Sequence, residues 1–372
     1  MLSTIKGWIS GGVCTQNESA IIGGGENEPS IFVLRNNDLG DLLVVTPLFE
    51  ALKRLFPKSK IIAGIGDWNR PILENNPFVD EIHATNAPWH NKRACRYAQN
   101  SFLGRLEVLR YLLFSDEVRR LRRRRPDIGI DVLGSLHGSL LFQRAGIRYR
   151  VATRGYHGRG YLMTRCVDFD PTCYVGRAAL KFAEVLGLPT KQLPALRPQI
   201  YLTEAERLEA RTRWAVNSME GKKRLVIGMG GGYREKCWPL NCFRSVLESV
   251  SRSGKWSTIL VGGPEDTKVA DELATGLSGV ESLAGTLSLR QTFAVTAESN
   301  GILTNSSMLM HVASAFEKAC AVVLGPSLES AEAHAQLWST REFTVIFGPD
   351  ATCKDVASPD RVWNHLLSWL RK

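Results

Sequence analysis

The sequence predicts an α/β protein built of two Rossmann-like, doubly wound units that face one another across a central cleft. Three observations carry this expectation. Short β-branched runs alternate with amphipathic segments along the chain, the rhythm of βαβ units whose parallel sheet is covered by helices. The rhythm stops at a polar, proline-containing stretch, residues 188–199, and then starts again. The length, 372 residues, exceeds the roughly 250–300 at which one core usually stops growing.

Residues 1–29 carry Lys6 as their one basic residue, a broken apolar patch at Trp8-Ile9 and a glycine-rich run to Pro29. Without the continuous apolar core of a signal peptide they are expected to form a flexible leader. The first unit, 30–190, has expected strands at Ile31–Leu34, Lys60–Gly64, Glu81–His83, Ile128–Val132 and Tyr149–Val151, each short and bounded by Pro, Gly or Asp. Helices are expected at about 42–56, 70–75, 104–124, 136–145 and 175–187. Residues 191–222, with a helix near 204–216, join it to the second unit, 223–355. There the expected strands are Leu225–Gly228, Thr258–Val261, Gly301–Leu303, Ala321–Leu324 and Thr344–Ile346. Helices fall near 239–252, 266–276, 289–297 and 308–316, and a last one, 359–371, closes the chain within 356–372.

A composition of 44% hydrophobic and 23% charged residues is that of a soluble globular protein. No window approaches the roughly 18 apolar residues of a membrane span. The eight cysteines form no C-x-x-C pair and no Cys/His cluster of zinc spacing, so a reduced, cytoplasmic protein without disulfides or metal is expected.

Two doubly wound units place their ligand at the carboxyl ends of their strands. The loop after the first strand is Arg35-Asn36-Asn37-Asp38-Leu39-Gly40-Asp41, which sets a carboxylate and unpaired backbone N–H groups at the entry to a helix. It is neither G-x-G-x-x-G nor a P-loop. Read alone, it is equally a turn glycine followed by a helix-start acid. In the second half the matching loops hold Gly230-Gly231-Gly232 with Lys236, then Gly262-Gly263-Pro264-Glu265, then Asn305-Ser306-Ser307-Met308 leading to His311, then Gly325-Pro326-Ser327. Glycines admit close backbone approach and Ser hydroxyls at a helix start supply donors, the means by which a site cradles a diphosphate. Lys236 suits its charge and Glu265 a sugar or ribose hydroxyl.

From about residue 31 to residue 350 the chain resembles the ADP-heptose:lipopolysaccharide heptosyltransferases, glycosyltransferase family 9, which have the GT-B fold. The family's Arg-x-x-x-x-Gly-Asp with a following Thr-Pro stands here as Arg35, Gly40, Asp41, Thr46 and Pro47. Phe56-Pro57, Asn76-Pro77-Phe78-Val79-Asp80 and Pro126-Asp127-Ile128-Gly129-Ile130-Asp131 match its next elements. Lys236-Cys237-Trp238-Pro239, Gly262-Gly263-Pro264-Glu265 and Leu324-Gly325-Pro326-Ser327 match those of the second half. Where the family usually reads Asn-Asp-Ser/Thr-Gly-x-x-His, this chain has Ser306 for the acid and Met308 for the glycine, while Ser307 and His311 keep their places.

The resemblance implies inverting, metal-independent sugar transfer without a cofactor. Asp41 would be the general base, with Asp38 its rival, and Arg35, Asn37 and Gly40 would lie on the acceptor side. Lys236, Gly231, Gly232, Glu265, Ser306, Ser307, Met308 and His311 would hold a nucleotide-sugar donor, ADP-heptose in the family. Two alternatives stay open: a GT-B relative with another nucleotide-sugar or epimerase chemistry, and a degenerate, non-catalytic member.

Residues 1–200 hold 28 basic against 18 acidic residues, so the whole net charge of +10 lies in the first half. Six arginines fall between Arg119 and Arg125. A solvated helix end is one reading. The sharper one is an anionic membrane surface presenting a lipid-linked glycan, with the protein peripheral on the inner face of the cytoplasmic membrane. No nucleic acid is expected, because the cluster lacks interleaved aromatics and no nucleic-acid-binding motif accompanies it.

Overall fold

The computed structural model describes residues 28–217, 221–327, 330–349 and 355–370. The expected leader, 1–29, lies outside the described residues except for its last two.

Each half folds around a six-stranded parallel sheet. The first contains β1 (Ile31–Leu34), β2 (Ile61–Ile65), β3 (Glu81–Ala84), β4 (Ile128–Asp131), β5 (Tyr149–Arg154) and β6 (Arg165–Asp168) in the order β3-β2-β1-β4-β5-β6. The second contains β7 (Lys223–Gly228), β8 (Trp256–Val261), β9 (Val280–Ser282), β10 (Gly301–Asn305), β11 (Ala319–Val323) and β12 (Thr344–Phe347) in the order β12-β11-β10-β7-β8-β9. Counted from its own first strand, each sheet runs 3-2-1-4-5-6. The order therefore reverses beside β1 in one half and beside β7 in the other, and at each reversal diverging loops open a crevice. The central strands β1, β2, β4, β8 and β10 are buried throughout, as expected of sheets with helices on both faces. The doubly wound expectation holds for both halves.

The helices are α1 (Leu39–Leu43), α2 (Pro47–Leu55), α3 (Arg70–Leu73), α4 (Phe102–Phe114), α5 (Asp116–Arg124), α6 (Leu136–Ala145), α7 (Val175–Leu186), α8 (Glu204–Asn217), α9 (Leu240–Ser253), α10 (Thr267–Ala274), α11 (Leu289–Ala297), α12 (Met308–Ala315), α13 (Ala331–Trp338) and α14 (Pro359–Trp369). None among the described residues is long and apolar enough to cross a membrane.

Two expected helices are each divided. The span 42–56 breaks between α1 and α2, where Pro47 opens the second helix at a position whose N–H would be unbonded anyway, and the Thr46 hydroxyl donates to the Leu43 carbonyl at 2.7 Å. The span 104–124 breaks at Ser115, which is extended and whose Oγ accepts from the Val118 N–H at 3.2 Å to start α5. A continuous run of helix formers hid the Ser-Asp-Glu cap signal. The edge strands β6 and β9 and the helix α13 were not expected from the sequence. Both strands are short and only partly buried, so neither carries an apolar run, and α13 has no buried face.

The halves share apolar packing. Ile31, Val33 and Ile130 of the first sheet belong to one buried cluster with Val226, Ile259 and Ile302 of the second, joined through Leu42 of α1 and Leu309 and Met310 of α12. Arg290, 8% exposed, fastens the junction. Its guanidinium donates to both Glu206 carboxylate oxygens at 2.7 Å, to the Tyr201 carbonyl at 2.7 Å and to the Pro71 carbonyl at 3.1 Å. Arg290→Met removes the donor from Glu206 Oε1 and from the Tyr201 and Pro71 carbonyls, while Glu206 Oε2 keeps Thr203, and is expected to lower stability by about 2 kcal/mol, read from the denaturant midpoint at constant slope. An unchanged midpoint would show that the junction does not depend on this residue.

Candidate active site

The first strand ends at Leu34, and the next residue is a buried arginine. Arg35 Nε donates to the Asp41 carbonyl at 3.2 Å and Nη2 to Asp41 Oδ1 at 3.1 Å. The arginine side chain is 6% exposed and the Asp41 side chain 29%. The carboxylate is thus fixed from behind while it still meets solvent, and its Oδ2 has no protein partner among the described residues.

The floor of this loop is polar. Asn36 Nδ2 donates to the Trp89 carbonyl at 3.3 Å and Asn37 Nδ2 to the His90 carbonyl at 2.9 Å, while the Asn37 carbonyl accepts from Trp68 Nε1 at 3.0 Å and Asn69 Nδ2 at 2.9 Å. Three imidazoles line the loop, with the His90 ring 4.8 Å from His157 and 5.9 Å from His137. Burial, then the other two rings and Arg35, push His90 down to about 4. Burial and Arg35 lower His157 as well, against the opposing pull of Asp41. The wall is therefore uncharged at neutral pH. Asp38 differs from its neighbour: desolvation and then the Asp41 charge raise its carboxyl.

Gly40 brings the two halves together. A Cβ there would lie 3.3 Å from His311 Cδ2 and 3.7 Å from Met308 Cα, so α1 meets the start of α12 at a spacing that suits glycine. Asp41 consequently stands beside the second half's helix N-terminus.

On the donor side, Asn305 is fully buried at the end of β10 and locks the loops. Its Nδ2 donates to the Met229 carbonyl at 2.5 Å and its Oδ1 accepts from the Trp238 N–H at 2.8 Å. The Gly325 N–H donates to the Lys236 carbonyl at 3.0 Å and the Ser327 N–H to the Glu235 carbonyl at 3.2 Å. Held this way, exposed Lys236 places Nζ 5.2 Å from the ring of Tyr233, the residue that follows the glycines. Lys92 crosses from the first half, donating to the Gly232 carbonyl with Nζ 3.5 Å over the same ring.

Ser307 caps α12, its Oγ accepting from the Leu309 N–H at 3.3 Å. Ser306 Oγ lies 2.7 Å from His334 Nε2 of α13. Burial and then the Lys236 charge push His334 down to about 4, and burial and then His334 push His311 down to about 3. Glu265 is exposed on the loop after β8. Two carboxylates pack on the glycine loops: Glu265 Oε2 would lie 2.5 Å from a Cβ on Gly263, while Asp266 accepts from the Gly263 N–H at 2.9 Å and its Oδ2 would lie 2.6 Å from a Cβ on Gly230 or Gly262.

The structure therefore joins Arg35 to Asp41, sets Gly40 against Met308 and His311, brings the Lys236 charge near the Ser306–His334 pair, and leaves exposed Glu265 over Gly263. Sequence reasoning missed Lys92, His90, His137, His157 and His334, and placed Asn305 in the candidate loop without giving it a role. Lys92 and His90 lie in the long irregular stretch 85–101, and His334 in a short helix none of whose residues is fully buried. Asn305 had a signal, as the small polar residue between an apolar strand and a helix start.

The sequence profile of glycosyltransferase family 9 (heptosyltransferase) matches residues 117–345, more than half of the chain. The chain belongs to glycosyltransferase family 9. This family 9 enzyme is 27% identical over 314 residues to lipopolysaccharide heptosyltransferase 2 of Salmonella typhimurium, covering 80% of this chain and 83% of that one. It is 26% identical over 310 residues to the Escherichia coli protein of the same name, covering 80% and 83%. Its fold is similar to that of the family 9 glycosyl transferase of Veillonella parvula, with a TM-score of 0.73 at 20% identity over 92% of this chain and 97% of that one. Against the E. coli ADP-heptose LPS heptosyltransferase II, the TM-score is 0.71 at 21% identity over 92% and 98%. The GT-B expectation thus holds, and the enzyme is a glycosyltransferase.

Proposed function

We propose that this family 9 glycosyltransferase moves a heptose from ADP-heptose to a lipopolysaccharide-core or related cell-surface glycan, with inversion and without a metal or cofactor. The observation that carries the reading is the partly exposed Asp41 carboxylate, fixed by Arg35, next in sequence to Gly40, which packs on the start of α12. The relatives' names supply the sugar and the acceptor class. Asp41 takes the proton of the acceptor hydroxyl. That oxygen bonds to the anomeric carbon as the bond from this carbon to the diphosphate oxygen breaks, and the electron pair leaves on the diphosphate. Lys236 and the N–H groups of the glycine loop and of the start of α12 meet the departing charge. Glu265, on the rim, is assigned to a ribose or sugar hydroxyl, and Ser306, Ser307, Met308 and His311 to the diphosphate and transferred sugar. The acceptor is lipid-linked and met at the inner face of an anionic membrane.

Lys236→Ala is expected to weaken ADP binding about tenfold, the size of one charge-assisted hydrogen bond, and to lower turnover with it. Chelator is expected to change neither. Loss of activity in chelator, restored by magnesium or manganese, would contradict the metal-free reading. One observation favours another nucleotide-sugar: Ser306, bonded to His334, occupies the family's acid position. A thermal-shift panel of ADP-, UDP- and GDP-sugars separates the two, since a ligand that binds the folded state raises its stability.

A further inference from the structure

Helix α4 is apolar on two faces. Its inner face, Gly104, Val108 and Leu112, is buried against the first half, with both side chains in a cluster that contains Leu141 and Phe142 of α6. Its outer face is not covered. Phe102, Leu106, Leu109 and Leu113 are 80%, 50%, 51% and 40% exposed, and their spacing of four, three and four residues puts them on one stripe of the helix. Scattered exposed leucines are ordinary, but an aligned stripe of large apolar side chains marks a contact surface. Leu136 and Leu140 of α6, which packs on α4, add an exposed pair one helical turn apart.

Charge selects the occupant. Arg105 and Arg110 are exposed on either side of the stripe, and Arg119, Arg120, Arg122 and Arg123 are exposed on α5. The acids of these helices are engaged: Glu107 accepts from the Arg96 N–H, Asp116 pairs with Arg119, and Glu117 accepts from the Tyr111 hydroxyl at 2.6 Å. Arg124 is paired with Glu81 and His83, and Arg119 is offset by Asp116, so Arg120, Arg122 and Arg123 carry most of the outward charge of α5. An apolar stripe bordered by arginines fits the boundary between lipid headgroups and acyl chains, where the stripe is buried and the guanidinium groups reach phosphate. A helix of 13 residues is about 20 Å long, too short to span a bilayer, so it lies in the plane of the surface.

We propose that α4 inserts its outer stripe into an anionic phospholipid surface while the α5 arginines hold the headgroups. The inference rests on the proposed function in one respect, that the acceptor is lipid-linked. The fold connects this surface to the site. Tyr111 of α4 stacks edge-on to Trp89 at 5.3 Å, the Trp89 carbonyl accepts from Asn36, and the Trp89 ring lies 5.4 Å from His137. Insertion of α4 brings the loop holding Arg35 and Asp41 within a few side chains of the lipid.

The test is flotation of the full chain with acceptor-free vesicles of phosphatidylethanolamine and phosphatidylglycerol, at low and high salt. Salt screens the arginines but not the stripe, so the parent is expected to keep a salt-resistant bound fraction. Leu106→Glu with Leu109→Glu should lower partitioning on the order of a hundredfold and abolish that fraction, because two leucines leave the lipid. Leu106→Lys with Leu109→Lys should abolish it too, although the positive charge rises. Replacing Arg119, Arg120, Arg122 and Arg123 with Gln should remove most low-salt binding, about a hundredfold or more, and spare the salt-resistant part. Flotation of either leucine variant like the parent overturns the proposal, as does a parent that binds no vesicles. Conversion of a dimeric parent to a monomer by these substitutions also overturns it, since the stripe would then cover a second copy. Turnover on a short soluble acceptor is read in parallel and should match the parent in every variant. Its absence from parent and variants alike would count against sugar transfer and leave the docking result standing.

Discussion

Asp41→Asn is expected to lower turnover by about a hundredfold or more while ADP binding stays nearly unchanged, because general-base assistance is typically of that size. The substitution isolates the proton-accepting role. An amide oxygen still accepts from Arg35 Nη2 at the position where Oδ1 lies 3.1 Å away, and the backbone contact from Arg35 Nε is untouched. Geometry survives and basicity is lost. Asp38→Asn is the matched control, since Asp38 stands three residues earlier with its carboxyl raised by desolvation and by the charge of Asp41. Turnover of that variant is expected within a few-fold of the parent. A hundredfold loss at Asp38 with none at Asp41 would exchange their roles.

The second large effect is acid lability. His83, His90 and His334 are each held down to about 4 and His311 to about 3, from the ordinary 6.5, and burial is the first cause in all four. Between about pH 6.5 and 4 the unfolded chain therefore binds protons at these sites that the folded chain refuses. Stability is greatest above pH 6.5 and is lost as pH falls. Asp131 acts in the opposite sense: burial pushes its carboxyl up to about 6, so the folded chain keeps a proton that the unfolded chain has released above about pH 4. Among the groups displaced furthest in this range, one carboxyl against four imidazoles leaves a net excess of about three protons in the unfolded state. Each is worth about 1.4 kcal/mol per pH unit, so acid should remove on the order of 2–4 kcal/mol per unit, a large share of a typical 5–15 kcal/mol. Urea midpoints at pH 7, 6 and 5 check this. A midpoint that holds level across that range would show that the imidazoles are solvated in the native state.

The sheet centres were legible in the sequence because strands buried on both faces read as unbroken apolar runs, as Ile31–Leu34 and Ile61–Ile65 do. The edges were not. Val280–Ser282 is three residues long and half-buried, and its pairing to β8 decides that it is a strand at all. Helix breaks at Thr46 and Ser115 were masked by flanking helix formers, although Pro47 and Ser115 were each a usable boundary signal. The loops bearing Asp41 and Lys236 were found because they follow apolar strands and open helices. Lys92 and His334 were invisible for the converse reason. They reach the site from an irregular stretch and from a helix without a buried face, and only tertiary contact, to Gly232 and to Ser306, brings them there.

Metal-independent inverting transfer from ADP-heptose with Asp41 as base is decided by NMR analysis of the product from ADP-heptose and an inner-core glycan acceptor in chelator, run in parallel with Asp41→Asn protein. The expected product is a heptosylated acceptor whose new linkage is inverted relative to the donor, with one ADP released per transfer and a rate about a hundredfold or more lower for the variant. A product with retained configuration, or an Asp41→Asn protein as fast as the parent, would contradict it.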